Sequence, residues 1–276
     1  MKALELLLRV LSCDIAVRCS DEASYNLLSE CYSAFLLPAD SRNSPALGYD
    51  VSYAGQANEW TLRCAEVSLR CRDSYDLVYK FEKDMTERVQ LLRPDLFFIH
   101  GAALAASERC AIISGESGSG KSSLAWFMAN NGYDYLSDEL APVDPASLLV
   151  EPYPHALCLK GAPLSEPKLP ASTQYTEVTL HVPAYELTAR ALDRPCRLGF
   201  LIFIDGALNG DELAMRKISS AESAAQLYSN GLNQLAHRDD GLPVVATIAK
   251  GATSYVMSGG TVEERAEAIR EVLEPI

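Results

Sequence analysis

The amino-acid sequence predicts an α/β protein of α+β character, with a small mixed N-terminal region over residues 1–95 and a larger domain over residues 96–276. Three observations carry this expectation. The chain has 276 residues, enough for one large or two modest domains. Short β-rich runs bounded by Gly, Pro, Asp and Ser alternate with longer segments whose apolar residues recur at helical spacing. One β-rich run passes through a glycine-rich loop directly into a helical pattern.

In the N-terminal region, residues 14–19 and 60–64 read as short strands, and residues 21–35 carry apolar residues at helical spacing. Residues 38–48 are loop-like, with Pro, Asp, Ser and Asn. Residues 67–71 alternate like an edge strand, with Val67, Leu69 and Cys71 on one face. Residues 74–90 fit an amphipathic helix with Leu77, Val78, Phe81, Met85 and Val89 on one side, and Arg93, Pro94 and Asp95 end it. Beyond this boundary, residues 96–99 form a strand reaching His100 and Gly101, and a hairpin runs through the apolar residues 102–106, a turn at 107–109 and the β-rich residues 110–114. Residues 122–131 read as a helix with Gly132 as its C-cap. Residues 133–136 return as a strand and end in Ser137, Asp138 and Glu139. A hairpin is expected over 141–151, strands over 155–159, 177–183 and 197–204, and an exposed Pro- and Ser-rich loop over 161–174. A helix at 220–235, strands at 244–249 and 254–256, and an amphipathic helix at 261–273 complete the prediction.

Composition narrows the function classes. The net charge of −13 disfavours non-specific binding to nucleic acid or to an anionic membrane. It leaves room for a basic or neutral acceptor. The eight cysteines, Cys13, Cys19, Cys31, Cys64, Cys71, Cys110, Cys158 and Cys196, include no CxxC pair. They read as reduced, mostly buried thiols of a cytoplasmic protein. The apolar N-terminus is interrupted by Glu5 and Arg9, so no signal peptide is expected. No window approaches the ~20 apolar residues of a membrane-spanning helix.

The chemistry is concentrated in Gly115, Glu116, Ser117, Gly118, Ser119, Gly120, Lys121 and Ser122, a G-x-x-x-x-G-K-S loop, with Ser123 following in the helix. Its glycines open backbone conformations closed to other residues and turn consecutive N–H groups inward, as a phosphate cradle requires. The helix that follows adds its positive end. Lys121 is expected to reach the β- and γ-phosphates and the Ser122 hydroxyl to bind Mg²⁺. Asp138 and Glu139 follow Lys121 by 17 and 18 residues. A helix of about ten residues spans ~15 Å, and the strand after it returns the chain to the level of the loop. There a carboxylate can hold Mg²⁺ or accept a proton from an attacking hydroxyl. His100 lies 21 residues before Lys121, also at a strand end, where it is either a donor to phosphate or a capped strand terminus.

The run from His100 through the Gly115–Ser122 loop to Asp138 and Glu139 resembles the catalytic domain of bacterial HPr kinase/phosphorylase, whose P-loop fold is related to phosphoenolpyruvate carboxykinase. The resemblance implies a P-loop kinase domain over 96–276, ATP or GTP and Mg²⁺ as cofactors, and transfer of a phosphoryl group to a serine or other hydroxyl of a protein, peptide or small molecule. It implies that Lys121 binds phosphate, Ser122 and Asp138 serve the metal, Glu139 is the general base, and His100 lies near the transferred phosphoryl. It also allows a homo-oligomer. At the counterpart of the family's metal-binding Glu stands Cys158, in Cys158-Leu159-Lys160-Gly161, which leaves Asp138 or Glu151 to complete the metal shell. Arg194, Arg197 and Arg238 are candidates for the family's catalytic Arg. The alternative function is a nucleotide-binding regulator without turnover.

Overall fold

A computed structural model describes residues 4–38, 41, 44–55, 59–106, 108–162, 168–187, 193–206 and 212–273. Among them the fold mixes six α-helices with sheets of five, eight and three strands. The chain divides into two compact units, Met1–Leu92 with His155–Glu186, and Arg93–Pro154 with Leu187–Ile276.

The first unit opens with strands β1 (Leu4–Val10) and β2 (Cys13–Cys19), helix α1 (Glu22–Cys31), strands β3 (Leu47–Ala54), β4 (Glu59–Cys64) and β5 (Val67–Cys71), and helix α2 (Ser74–Leu92). The second contributes β6 (Phe97–Ala106), β7 (Arg109–Gly115), α3 (Lys121–Ala129), β8 (Asp134–Ser137), β9 (Leu140–Asp144) and β10 (Leu149–Val150). The chain returns to the first for β11 (Leu157–Leu159), β12 (Gln174–Tyr175) and β13 (Leu180–Val182). It ends in the second with β14 (Cys196–Asp205), β15 (Ala214–Lys217), α4 (Ser220–Asn230), α5 (Leu242–Gly251), β16 (Thr253–Ser258) and α6 (Val262–Leu273).

In the first unit the sheet order is β1-β2-β3-β4-β5, so residues 67–71 do form an edge strand. In β1, Leu6, Leu8 and Val10 are buried while Glu5 and Arg9 are exposed, the period-two pattern of a strand with one face on a core. Asp21 caps α1, its carboxylate accepting the Ser24 N–H at 2.8 Å. Helix α2 buries the predicted face of Leu77, Val78, Phe81, Met85 and Val89. Residues 155–186, expected in the larger domain, group with this unit. The reason is local bonding. The Ala156 N–H donates to Cys31 O at 2.8 Å, Tyr185 Oη donates to Glu30 at 2.6 Å, and Glu177 accepts from Ser74 Oγ and the Tyr75 N–H at the start of α2. Of the loop expected over 161–174, residues 163–167 lie outside the described residues.

In the second unit the strand order is β10-β9-β6-β7-β14-β16-β15, with β8 also paired to β6. Strand β7 lies between antiparallel β6 and parallel β14, and β14 is parallel to β16. One core of the unit joins Phe97, Ile99, Ile112, Leu201 and Phe203 of these strands to Leu227 of α4 and Val245 and Ile248 of α5. Residues 244–249, expected as a strand, belong to α5. Their β-branched run suits a strand, but Val245, Ile248 and Ala249 fall on one helical face and Pro243 stands in the first helical turn, which it suits. Among the described residues no helix is long and apolar enough to cross a membrane.

Candidate functional site

The glycine loop leaves the end of β7 and enters α3 at Lys121, as the sequence predicts. At Gly115 the backbone runs against β14, where a Cβ would stand 2.6 Å from Ile204 O. Gly118 and Gly120 take φ of 87° and 92°, the left-handed region that side chains disfavour. Gly120 O already accepts the Leu124 N–H at 2.9 Å, which starts the helix. Glu116, Ser117, Gly118 and Ser123 are exposed, Ser122 is half-buried, and Ser119 and Lys121 are buried. Among the described residues the Ser119 hydroxyl has no hydrogen-bond partner.

The loop carbonyls are held by cations. Lys121 Nζ donates to Gly115 O at 2.8 Å and Glu116 O at 3.0 Å. Arg265 of α6 donates from Nη1 to Ser119 O at 2.9 Å and from Nε to Gly259 O at 2.7 Å. Arg265 is completely buried, and burial lowers its pKa below the usual arginine value. It is none of the three arginines singled out in the sequence. Arg197 pairs with Arg109 at the opposite end of β7 from the loop. Arg194 is exposed just before β14, and Arg238 lies in the short connection between α4 and α5. The only cue to Arg265 is a basic residue at a position where the amphipathic pattern of 261–273 turns inward.

Sheet register brings the other candidates to the level of the loop. Gly101 pairs with Ser114, so His100 sits one step further on, and Ser114 Oγ donates to His100 O at 2.7 Å. His100 in turn pairs with Leu140, and the Gly101 N–H donates to Glu139 O at 3.1 Å. His100 Nδ1 and Glu139 Oε2 are 3.6 Å apart, with the two side chains 35% and 39% exposed. Asp138 is fully buried and its Oδ1 accepts the Tyr135 hydroxyl at 3.0 Å. Ser137 Oγ accepts the N–H groups of Glu139 and Leu140, turning β8 into β9.

On the other side of β7, Ile204 pairs with Gly115, which puts Asp205 one residue beyond the loop's first glycine. Asp205 is exposed. The sequence reading ended this strand at Ile204; the missed signal is an apolar run, Leu201-Ile202-Phe203-Ile204, closing on an aspartate. Cys158 pairs with His181 in the three-stranded sheet of the first unit, and Glu151 follows β10 with its N–H on Pro142 O. Burial raises the pKa of Glu151.

Among the described residues no group of three or more His, Cys, Asp and Glu could hold a metal ion. Ser122, Asp138 and Asp205 offer oxygen donors, the type Mg²⁺ takes when it keeps water and phosphate oxygens as its other ligands. The buried, unpartnered Ser119 hydroxyl fits a loop made to receive further polar atoms. The thiol of Cys158 does not suit this hard cation.

No family model and no curated protein matches the chain. Among solved structures, the HPr(Ser) kinase/phosphatase from Coxiella burnetii is similar at 12% identity and a TM-score of 0.32, over 63% of this chain and 89% of that chain. A likeness of that depth assigns neither family nor activity.

Proposed function

We propose that the second unit is a P-loop kinase: it binds a nucleoside triphosphate with Mg²⁺ and moves the γ-phosphoryl to a hydroxyl, a serine of a protein or peptide or the hydroxyl of a small molecule. The observation that carries the reading is the juxtaposition, at one end of one sheet, of the glycine loop with the half-exposed His100–Glu139 pair. Phosphates entering the loop would meet its backbone N–H groups and the N-terminus of α3. Lys121 exchanges its hold on Gly115 O and Glu116 O for phosphate oxygens. Ser122 with Asp138 or Asp205 would hold Mg²⁺, which would offset the charge of the β- and γ-phosphates.

Glu139 is the base in this reading. The acceptor oxygen bonds to the γ-phosphorus as the bond to the β-phosphate oxygen breaks, the hydroxyl proton passes to the Glu139 carboxylate, and a nucleoside diphosphate leaves. His100 orients Glu139 or donates to the transferring group. Asp138, closed off and bound by Tyr135, suits a positioning or metal role better than proton transfer. A second reading, nucleotide binding without turnover, is favoured by Cys158 at the counterpart of the family's metal-binding Glu. Transfer of labelled γ-phosphate to a library of serine-containing peptides separates them. Glu139→Gln is expected to lower transfer by about 10²–10⁴-fold while nucleotide affinity holds. If Glu139→Gln and Asp138→Asn both leave transfer unchanged, the base assignment is wrong.

A further inference from the structure

We infer that Arg265 is a positioning residue of the phosphate site, the fixed cation that holds the glycine loop in its anion-binding shape, whereas Lys121 is the cation that moves. This rests on the reading of the loop as a phosphate site. Three loop carbonyls, of Gly115, Glu116 and Ser119, accept from a cationic side chain. A carbonyl held by a side chain fixes the peptide planes beside it, and with them the direction of the neighbouring N–H groups; within the loop the Ser119 N–H donates to Glu116 O at 3.2 Å. Lys121 lies in the loop itself and can exchange carbonyls for phosphate. Arg265 is fully buried and reaches the loop from α6 through the Ser119 carbonyl, so it stays in place. These bonds tie Ser119 to Gly259 through Arg265, a residue 146 positions beyond Ser119 in the chain.

The start of α6 is built to aim this side chain. Gly259 and Gly260 take φ of 64° and 75°, turning β16 sharply into the helix. A reciprocal cap follows: the Thr261 N–H donates to Glu264 Oε2 at 2.8 Å and the Glu264 N–H to Thr261 Oγ1 at 3.2 Å. Arg265 is the next residue, and its guanidinium points back to the turn and the loop. A buried positive charge bonded to the loop also favours an anion bound there. Arg265 does not touch the ligand; it acts through the Ser119 carbonyl.

Titrations of wild type, Arg265→Met and Arg265→Lys with Mg·ATP, ADP and inorganic pyrophosphate test this, together with thermal unfolding of each. Arg265→Met is expected to weaken all three ligands by about ten- to hundredfold, the loss of charge-assisted hydrogen bonds. Arg265→Lys is expected to recover part of it, and guanidinium ion to restore affinity to Arg265→Ala. Wild-type affinity in Arg265→Met, measured well below its melting temperature, would overturn the inference and leave the nucleotide site standing. Absence of binding by wild type would remove both. Hydrogen exchange on the unaltered chain covers the case in which no variant folds. Pyrophosphate should protect residues 117–121 and 259–265 together, and protection of the loop alone would refute the coupling.

Discussion

Glycines 115 and 118 of the loop are required for different reasons, and the difference can be measured. Gly115 is where the chain passes closest to β14, and a methyl group there would overlap Ile204 O at 2.6 Å. Gly118 has open space around its missing side chain, so Gly118→Ala meets only the strain of φ at 87°. We expect Gly118→Ala to cost about 1 kcal/mol. Gly115→Ala should cost roughly 1–3 kcal/mol and displace the loop, so that nucleotide affinity falls with stability. Urea unfolding and nucleotide titration of both variants check this, and equal effects would contradict the packing argument. At this scale the sequence was informative wherever chemistry was local. Lys121, His100 and the Asp138–Glu139 pair stand at spacings set by one hairpin, one helix and one strand. Arg265 and Asp205 were hard to single out, because their local patterns do not specify the helix contact or the sheet register that brings each to the level of the loop.

Elements were readable where burial is one-sided. The face of α2 and the edge strand β5 follow from their periodicities. Strand β3 was missed: Tyr49 and Val51 alternate with exposed Asp50 and Ser52, a signal obscured by the polar loop before it. The strand expected at 244–249 became part of α5 because tertiary burial of a helical face outweighs β-branched propensity. The three-stranded sheet of the first unit makes its own prediction. His181 of β13 is buried with its Nε2 2.9 Å from Thr179 Oγ1, and burial, with His155 nearby, lowers its pKa from 6.5 to about 4. The unfolded chain therefore binds a proton between pH 6.5 and 4 that the folded chain refuses. Stability should be level above pH 6.5 and fall as pH drops through that window, by up to roughly 3 kcal/mol from this residue. His181→Gln should flatten that acid limb in urea titrations at pH 7, 5.5 and 4.5. An unchanged slope would mean that His181 does not set it.

At the scale of the whole molecule, the chain crosses between its two units and back. A contiguous split at residue 95 could not anticipate this, since residues 155–186 owe their place to bonds with α1 and α2 that no local pattern encodes. Every residue that the proposed chemistry uses, from His100 to Arg265, belongs to the second unit, so nucleotide binding is expected to reside in that unit. The most direct test is calorimetric titration of the full-length protein and its Lys121→Ala variant with ATP, with and without Mg²⁺. Wild type is expected to bind one nucleotide per chain in a Mg²⁺-dependent way, and Lys121→Ala to bind at least about tenfold more weakly through loss of a charge-assisted hydrogen bond. Equal affinity of the two proteins, or no binding by wild type, would contradict it.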